Sequence, residues 1–350
     1  MTREDAPEPR ILVAQSGFLG DVVLTTPLFA ALRRRFPQAH LAVLVTPVAA
    51  PLLADHPAVD RVLVDDKRGR GSGLRGMLRL ATALRAERFT IAIAVHKSIR
   101  TGLLLRGARI GRRVGFEGAP GSRFYTERIR RPLALHDRDR ILELLRPFGA
   151  YPEERVDRQP QVAVGAAARE RAATLLGPVL RERRPLAGIC PGSAWPTKRW
   201  PAGAYGRLVR ALEDDGYRCV LLGAPDERTI TAAVAAAAGG VGLDLAGATD
   251  VATLAAVLRR MTVVVSNDSA PMHLASAVAV PQVAIFCATV PAQGYGPTGD
   301  QAVVVEKDLA CRPCGRHGGV RCPRGTDDCR ELVTVKDVRA AVERVRARAA

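Results

Sequence analysis

Residues 11–27 read ILVAQSGFLGDVVLTTP and contain a short apolar run, a turn with two glycines and the start of a helix-like pattern. A continuous apolar run that ends at a glycine turn is typical of a buried parallel strand. Gly17 and Gly20 permit the tight backbone geometry of such a turn. The apolar spacing after Asp21 predicts a helix over residues 22–36. The stretch therefore predicts one strand–turn–helix unit of an α/β fold.

Similar units recur along the chain. Strands are predicted at residues 41–45, 61–65 and 90–95, and again at residues 186–190, 219–222, 262–266 and 282–286. Near-continuous apolar strands that alternate with helices indicate parallel sheets covered on both faces. We therefore expect two doubly wound parallel-sheet domains facing a cleft, with the ligand at the carboxyl ends of the strands.

The length and composition agree with two domains. At 350 residues the chain exceeds one small core, and its 47% apolar and 25% charged residues are typical of a globular protein. We expect domains at residues 1–165 and 166–334, followed by an Arg-rich helix at residues 335–350. No apolar run reaches the roughly 18 residues that cross a bilayer. The first ten residues lack the apolar stretch of a signal peptide, which predicts a cytoplasmic protein.

The charge is strongly basic, with a net charge of +17. Residues 97–131 hold ten basic residues and two acidic ones, which suggests a surface that meets anions. An Arg-rich composition inherited from a GC-rich genome is the alternative. Nucleic acid is disfavoured as a partner, because no zinc-finger, RNA-recognition or helix-turn-helix signature is present and aromatic residues are only 4%.

Asp21 follows the first strand and has two interpretations. It is a helix N-cap, or it is a carboxylate held on a rigid turn that accepts a proton from an acceptor hydroxyl. A nicotinamide dinucleotide enzyme is disfavoured, because this turn lacks the GxGxxG pattern.

Two further strand-to-helix junctions carry polar residues. Residues 190–201, CPGSAWPTKRWP, form a stiff loop with Lys198 near its end, in a chain that has only five lysines. Lys198 is a surface residue or a cation for a diphosphate leaving group. Residues 263–277, VVVSNDSAPMHLASA, run from a strand into a helix expected at about Pro271. That helix start and Ser269 offer an anion site, and Asp268 is there as a cap or a ligand-binding acid.

The three segments LGDVVLTTP, PGSAWPTKRWP and SNDSAPMHLA together resemble the signature motifs of glycosyltransferase family 9, the ADP-heptose:lipopolysaccharide heptosyltransferases. The resemblance extends from Ile11 to about Arg330. It implies two Rossmann-like domains of the GT-B type, the first binding the acceptor and the second the nucleotide-sugar. It also implies an inverting transfer of L-glycero-D-manno-heptose from ADP-heptose, with no metal and no cofactor.

The resemblance also implies the partners and the site. The acceptor is expected to be lipid A–Kdo or the heptosyl inner core, and the QSGFLGD and CRPC segments favour addition of the second heptose. We also expect peripheral contact with the anionic inner membrane on its cytoplasmic face. The implied catalytic base is Asp21. The implied donor-binding residues are Ser193, Lys198, Glu227 (ribose), Thr249 (adenine edge), Asp268 (heptose), Ser269, Ala270 and His273.

Two departures leave alternatives open. The family usually has Gly where this chain has Ala270, and FGPTDP where it has FCATVP at residues 286–291. A GT-B enzyme for another nucleotide-sugar, either a transferase or a sugar-nucleotide epimerase, is the alternative, and activity with the donor alone would favour the epimerase.

Four cysteines lie close in sequence, at Cys311, Cys314, Cys322 and Cys329. A zinc ribbon would have two CxxC pairs and only one occurs, so reduced thiols are favoured over structural zinc.

Overall fold

The computed structural model describes residues 8–149 and 157–349. The chain forms two compact units, Met1–Ala163 and Val164–Ala350. Residues 1–7 lie outside the described residues. They are part of the first ten residues, for which no signal peptide is predicted. Residues 150–156 and 350 lie outside the described residues as well.

The first unit is a six-stranded parallel sheet flanked by helices. Its strands are β1 (Arg10–Ala14), β2 (His40–Val45), β3 (Arg61–Val64), β4 (Ile91–Ala94), β5 (Arg112–Phe116) and β6 (Glu127–Ile129). Its helices are α1 (Leu19–Arg35), α2 (Ala50–Leu53), α3 (Gly73–Ala86), α4 (Ile99–Gly107) and α5 (Asp137–Leu142), with 3₁₀ turns at Ser122–Phe124 and Glu143–Phe148. The spatial order is β3-β2-β1-β4-β5-β6.

The second unit repeats this plan. Its strands are β7 (Leu186–Cys190), β8 (Arg218–Leu221), β9 (Leu243–Asp244), β10 (Val263–Asn267), β11 (Gln282–Phe286) and β12 (Ala302–Glu306). Its helices are α6 (Ala166–Leu180), α7 (Ala202–Asp214), α8 (Arg228–Ala237), α9 (Val251–Leu258), α10 (Ala270–Ala277), α11 (Asp328–Glu331) and α12 (Val335–Ala349), with 3₁₀ turns at Pro196–Lys198, Pro225–Glu227 and Pro291–Gln293. The order is β12-β11-β10-β7-β8-β9, again parallel throughout.

Both sheets are doubly wound, as expected. In each, the chain starts in the middle, adds strands to one side, and then returns to add strands to the other. The return creates a switch point between β1 and β4 in the first unit, and between β7 and β10 in the second. Loops that follow the two strands of a switch point diverge and leave a ligand-binding crevice at the carboxyl edge of the sheet.

Apolar packing closes the second unit around the sheet and α12. Val338, Val342 and Val345 of α12 are buried in one cluster with residues of β11 and β12. Trp200 and Tyr205 are buried in the same cluster and pack edge to face, with ring centroids 4.9 Å apart. The last helix therefore completes this core.

Thr25, Thr26 and Pro27 end the first motif, and the two threonines hydrogen-bond to the backbone of α1 next to the proline. Pro27 lies inside the helix and has no N–H for the carbonyl of Val23. The Thr26 hydroxyl donates to that carbonyl at 2.8 Å instead. The Thr25 hydroxyl donates to the Asp21 carbonyl at 2.7 Å. Two threonines thus satisfy backbone groups around the proline and keep the helix continuous.

Candidate active site

Asp21 lies just after the first strand of the first switch point, inside the first turn of α1. Its interpretation as an N-cap is wrong, because the helix begins at Leu19 and Phe18 occupies the cap position. Asp21 is the third helical residue, and its carboxylate reaches back to accept the Phe18 N–H at 3.3 Å. The helix starts earlier than predicted because this carboxylate satisfies an N–H that otherwise has no partner within the helix.

Gly17 is required by the position of this carboxylate. A methyl group at Gly17 would lie 2.9 Å from Asp21 Oδ2 and 2.9 Å from Gln15 Oε1. Such contacts are closer than carbon and oxygen tolerate. The glycine therefore lets the turn close tightly against the Asp21 side chain.

Burial, followed by the negative charge of Asp137 as a smaller cause, raises the pKa of Asp21 to about 6. The Phe18 N–H, Lys97 and Arg131 act against this shift. Arg131 and Asp137 form an ion pair with each other, so the two charges partly cancel at Asp21. A carboxylate whose pKa lies near 6 is a better proton acceptor than an ordinary aspartate and is still ionised at neutral pH.

His96 lies on the other side of this switch point and was not found by sequence reasoning. It follows β4, and its Nδ1 lies 3.1 Å from the Thr101 hydroxyl and 3.3 Å from those of Ser16 and Ser98. Burial lowers its pKa to about 4. His96 is therefore neutral at physiological pH and connects the β1 turn to the start of α4 through hydroxyl groups.

At least five of the ten cations in the basic stretch at residues 97–131 form hydrogen bonds or ion pairs within the first unit. Arg100 pairs with the buried Asp65 at 2.8 Å, and Arg112 with Glu127 at 2.6 Å. Arg113 donates to the Phe124 carbonyl, Arg128 to the Ser122 carbonyl, and Arg131 pairs with Asp137. These cations stabilise the fold, so the charge of the stretch is only partly available to a ligand.

Asn267 organises the second switch point. Its Oδ1 accepts the Trp200 N–H at 3.0 Å and the Tyr205 hydroxyl at 3.1 Å, and its Nδ2 donates to the Pro191 carbonyl at 2.7 Å. Asn267 is completely buried. It therefore joins the end of β10 to the loop after β7 and to α7, which fixes the loop that carries Ser193 and Lys198.

Lys198 and Asp268 form an ion pair at this switch point, although 70 positions separate them in the sequence. Lys198 Nζ lies 2.6 Å from Asp268 Oδ2, and both side chains are largely buried. The same oxygen accepts the Thr289 hydroxyl at 2.6 Å. The cap position of α10 belongs to Ser269, so the interpretation of Asp268 as a cap is wrong. Asp268 instead faces the loop after β7.

The remaining donor-site candidates surround the start of α10 and the neighbouring loop. Ser269 is the cap residue and Ala270 the first residue of α10, one position earlier than the expected start at Pro271. His273, the fourth residue of the helix, is buried. Ser193 is buried too, and its carbonyl accepts Arg199 Nε at 2.8 Å.

Glu227 lies beside the same loop, after β8. Its carboxylate occupies the space above Gly192, where an added methyl group would lie 2.0 Å from Oε1. The carboxylate also accepts the Ala224 N–H at 2.9 Å. Thr249 is half-buried and follows Gly247, whose N–H donates to the Gly223 carbonyl at 2.8 Å. The contacts thus bring Glu227 next to the residue that precedes Ser193.

The cysteine segment contains free thiols at Cys311, Cys314, Cys322 and Cys329. Backbone hydrogen bonds, chiefly from Asp327 and Arg324, lower the pKa of the Cys322 thiol. Within residues 8–149 and 157–349, no three His, Cys, Asp or Glu side chains are grouped so as to hold a metal ion. Over the same ranges, no helix has the length and apolar character needed to span a bilayer.

The comparisons with known proteins agree with this architecture. Residues 77–320 match the model of glycosyltransferase family 9 (heptosyltransferase). Lipooligosaccharide heptosyltransferase 2 of Haemophilus influenzae is 28% identical, over 84% of this chain and 88% of that protein. The glycosyl transferase family 9 structure from Veillonella parvula is 24% identical with a TM-score of 0.88, covering 99% of this chain and 100% of that one. The structure of Escherichia coli ADP-heptose LPS heptosyltransferase II is 24% identical with a TM-score of 0.79, covering 97% and 99%.

Two doubly wound parallel sheets that match these structures define a glycosyltransferase fold of the GT-B type. The family match covers more than half of the chain. The chain belongs to glycosyltransferase family 9, as the sequence motifs predicted.

Proposed function

We propose that this enzyme transfers L-glycero-D-manno-heptose from ADP-heptose to the inner core of lipopolysaccharide, with inversion, and that it adds the second heptose. The Haemophilus influenzae relative is a lipooligosaccharide heptosyltransferase 2, and the Escherichia coli structure is an ADP-heptose heptosyltransferase II. The observation that carries the proposal is the Lys198–Asp268 pair, which holds a cation beside the start of α10.

The second unit, which includes residues 166–334, binds the donor in this proposal. Lys198, the Ser269 hydroxyl and the N–H groups at the start of α10 bind the diphosphate, because helix N-termini and lysines both attract phosphate oxygens. Ser193 and His273 complete this anion site. Asp268 binds hydroxyl groups of the heptose, Glu227 those of the ribose, and Thr249 contacts the adenine edge.

The first unit, which includes residues 1–165, binds the acceptor and supplies Asp21 as the catalytic base. Asp21 takes the proton of the attacking hydroxyl, and the bond to the diphosphate breaks on the opposite side of the anomeric carbon. A glycosidase needs a second carboxyl group to protonate its leaving group. A nucleoside diphosphate leaves as an anion, so one base is enough, with Lys198 stabilising the departing charge. No step of this scheme requires a metal or another cofactor.

In this proposal the location of the acceptor determines where the enzyme acts. Lipid A–Kdo and the heptosylated inner core are anionic glycolipids, and the enzyme meets them at the cytoplasmic face of the inner membrane. Contact with the membrane is peripheral. Nucleic acid is not a partner.

A nucleotide screen tests the donor assignment. ADP at about 100 times its Kd should stabilise the protein by about 2.7 kcal/mol, while UDP and GDP at the same concentration should give a smaller shift in melting temperature. A larger shift with UDP than with ADP would contradict the proposed donor. Heptose release from ADP-heptose that requires the acceptor separates a transferase from an epimerase, which acts on the donor alone.

A further inference from the structure

The exposed apolar side chains of the first unit are not scattered over its surface. The six most exposed large ones are between 45% and 69% accessible, and each follows a strand or lies in the first two turns of the helix that comes after it. They are Phe18, Val48, Leu74, Leu78, Ile99 and Leu133.

These positions share one edge of the first sheet. All six strands of the first sheet are parallel, so their carboxyl ends, and the junctions that follow them, lie at the same edge. Asp21 lies at this edge as well. Single exposed apolar residues are ordinary, but a group of them at one functional edge indicates a surface that binds something apolar.

Helix α3, at this edge, has one face buried against the unit and apolar side chains on the opposite, exposed face as well. Gly76, Ala81 and Leu84 are buried against the unit, while Leu74 and Leu78, four residues apart, project together into solvent. An amphipathic helix in a globular protein normally turns its apolar residues inward. The two outward leucines are therefore not explained by the packing of this unit.

The charge of α3 and the loop before it is mainly positive, although Asp66 lies at the start of that loop and accepts the Gly69 and Arg70 N–H groups. Residues 67–86 contain six cations and no acidic residue. Arg75 and Arg79 are exposed on the same two turns as Leu74 and Leu78, and Arg79 donates to the Arg70 carbonyl at 2.8 Å, which holds the β3–α3 junction beside the helix. Apolar side chains surrounded by cations are the signature of a helix that lies in the surface of an anionic bilayer.

We propose that α3 and its junction dock on an anionic phospholipid bilayer, with Leu74 and Leu78 entering the headgroup region and Arg75 and Arg79 binding lipid phosphates. The inference rests on the proposed function in one respect, since an acceptor anchored in a membrane must reach the edge that holds Asp21. A second copy of the chain is a poor occupant of this surface. A twofold interface would bring two identical cationic patches together, and like charges repel.

Vesicle sedimentation of the full chain, without donor or acceptor, tests this proposal. Vesicles of phosphatidylcholine with roughly a quarter phosphatidylglycerol should bind the wild-type protein, and pure phosphatidylcholine should bind it weakly. Leu74→Ser with Leu78→Ser should lower the partition coefficient about tenfold. Arg75→Gln with Arg79→Gln should lower it about tenfold on anionic vesicles, and the loss should shrink in high salt.

Matched substitutions in the second unit serve as controls. Val320→Ser with Leu332→Ser removes exposed apolar residues, and Arg259→Gln with Arg260→Gln removes exposed cations. Both should bind vesicles like the wild type. The helix content and melting temperature of each variant, measured by circular dichroism, should match those of the wild type and so show that the fold is retained.

Four results would overturn the proposal. Wild-type protein that ignores anionic vesicles would do so, as would leucine variants that bind them fully. If the leucine variants lost turnover on a deacylated, water-soluble acceptor, the two leucines would belong to the binding site for the acceptor sugar and not to a membrane-docking surface. Self-association that the leucine substitutions abolish would assign it to a second copy. The vesicle assay needs no nucleotide, so a lack of vesicle binding would not contradict ADP as the donor nucleotide. Likewise, a lack of stabilisation by ADP would not contradict vesicle binding.

Discussion

At the scale of single residues, the proposed mechanism depends on Asp21. Asp21→Asn retains the shape and an oxygen that accepts the Phe18 N–H, but removes the basicity. If Asp21 accepts the acceptor proton, kcat should fall about 10²–10⁴-fold, measured by release of ADP with a soluble acceptor. ADP affinity, measured by calorimetry, should stay unchanged, because the proposed donor-binding residues belong to the second unit.

A true helix cap provides the control for this substitution. Asp250 caps α9 and accepts the Thr253 N–H at 2.7 Å. Asp250→Asn should leave kcat near that of the wild type. A near-native kcat in Asp21→Asn would reduce Asp21 to a structural residue and leave the proposed mechanism without a proton acceptor.

The raised pKa of Asp21 also predicts a dependence of stability on pH. The pKa is 3.8 for an ordinary aspartate and about 6 in this fold, so ionisation of Asp21 disfavours the folded state. The cost is absent below pH 4 and complete above pH 6. Asp21→Asn removes it and should raise the free energy of unfolding at pH 7.5 by about 1–2 kcal/mol, less than the full shift implies because the side chain is partly solvated.

Urea denaturation at pH 7.5 and pH 4 tests this expectation. The variant should be the more stable protein at the higher pH, and the two proteins should converge at the lower one. A variant that is less stable at both pH values would show that the carboxylate is favourable in the fold.

The Lys198–Asp268 pair predicts a strong coupling between two residues. Lys198→Met leaves a largely buried carboxylate without its cation, which should lower the free energy of unfolding by about 3–5 kcal/mol. Asp268→Asn in the same chain removes that charge and should restore much of the stability. ADP binding should stay weak in the double variant, because Lys198, the proposed cation for the diphosphate, is still missing.

Denaturation and calorimetry on the two single variants and the double variant complete the cycle. Additive losses of stability would show that the pair is not coupled. Full ADP affinity in the double variant would remove Lys198 from the diphosphate site.

These residues also show the limit of sequence reasoning at this scale. The loop and strand motifs indicated Lys198 and Asp268 separately. Their contact depends on β7 and β10 being neighbours, which local patterns do not specify. His96 carried no signal because its contact with the Ser16 hydroxyl joins positions 80 residues apart, although Ser98 and Thr101 are its neighbours in the sequence.

At the scale of elements, the loop after β7 depends on a glycine. In Gly192→Ala the new methyl group would lie within 2.4 Å of three atoms of the Glu227 carboxylate, so that carboxylate must move. We expect a KM for the donor raised about tenfold, corresponding to one lost hydrogen bond to a charged group, with kcat largely preserved. Steady-state kinetics at saturating acceptor measure both values.

Gly203→Ala is the matched control. It lies in α7 and its methyl group would lie 3.6 Å from Arg207, an ordinary contact. That substitution should raise the free energy of unfolding by up to about 1 kcal/mol and leave the KM alone. An unchanged KM in Gly192→Ala would argue against a role of Glu227 in donor binding.

The elements found from sequence are those with uninterrupted apolar runs. Strands β7 and β11 match their predicted bounds, because each is buried along its whole length. Strand β5 reads RRVGF and was missed, since its two arginines break the apolar pattern. Strands β6 and β9 are too short to give a pattern. The missed β6, β9 and β12 lie at sheet edges. Strand β12 reads AVVVE and was missed despite its apolar run.

At the scale of the whole molecule, the presence of two similar α/β units was predictable from the sequence. The roles of the many cations were not. The alternation of strands and helices restarts once, and the two sheets follow it. The net charge of +17 could not be divided from sequence into cations that hold the fold and cations that meet a ligand. Arg100, Arg112 and Arg131 belong to the first kind, because each pairs with an acidic residue of the first unit. The partners of Arg100 and Arg112 lie 35 and 15 positions away in the sequence, so local patterns do not reveal these pairs.

The proposed division of donor and acceptor between the two units predicts a pattern of amide hydrogen exchange. ADP should slow exchange in the second unit, at residues 190–198 and 267–277, because the diphosphate removes those loops from solvent and favours their closed conformation. A deacylated acceptor should slow it in the first unit, at residues 15–21 and 96–101. Exchange measured by mass spectrometry with each ligand alone distinguishes the two effects. ADP protection centred on residues 15–21 would contradict the assignment, because it would place the nucleotide beside Asp21 and deprive the acceptor hydroxyl of its base.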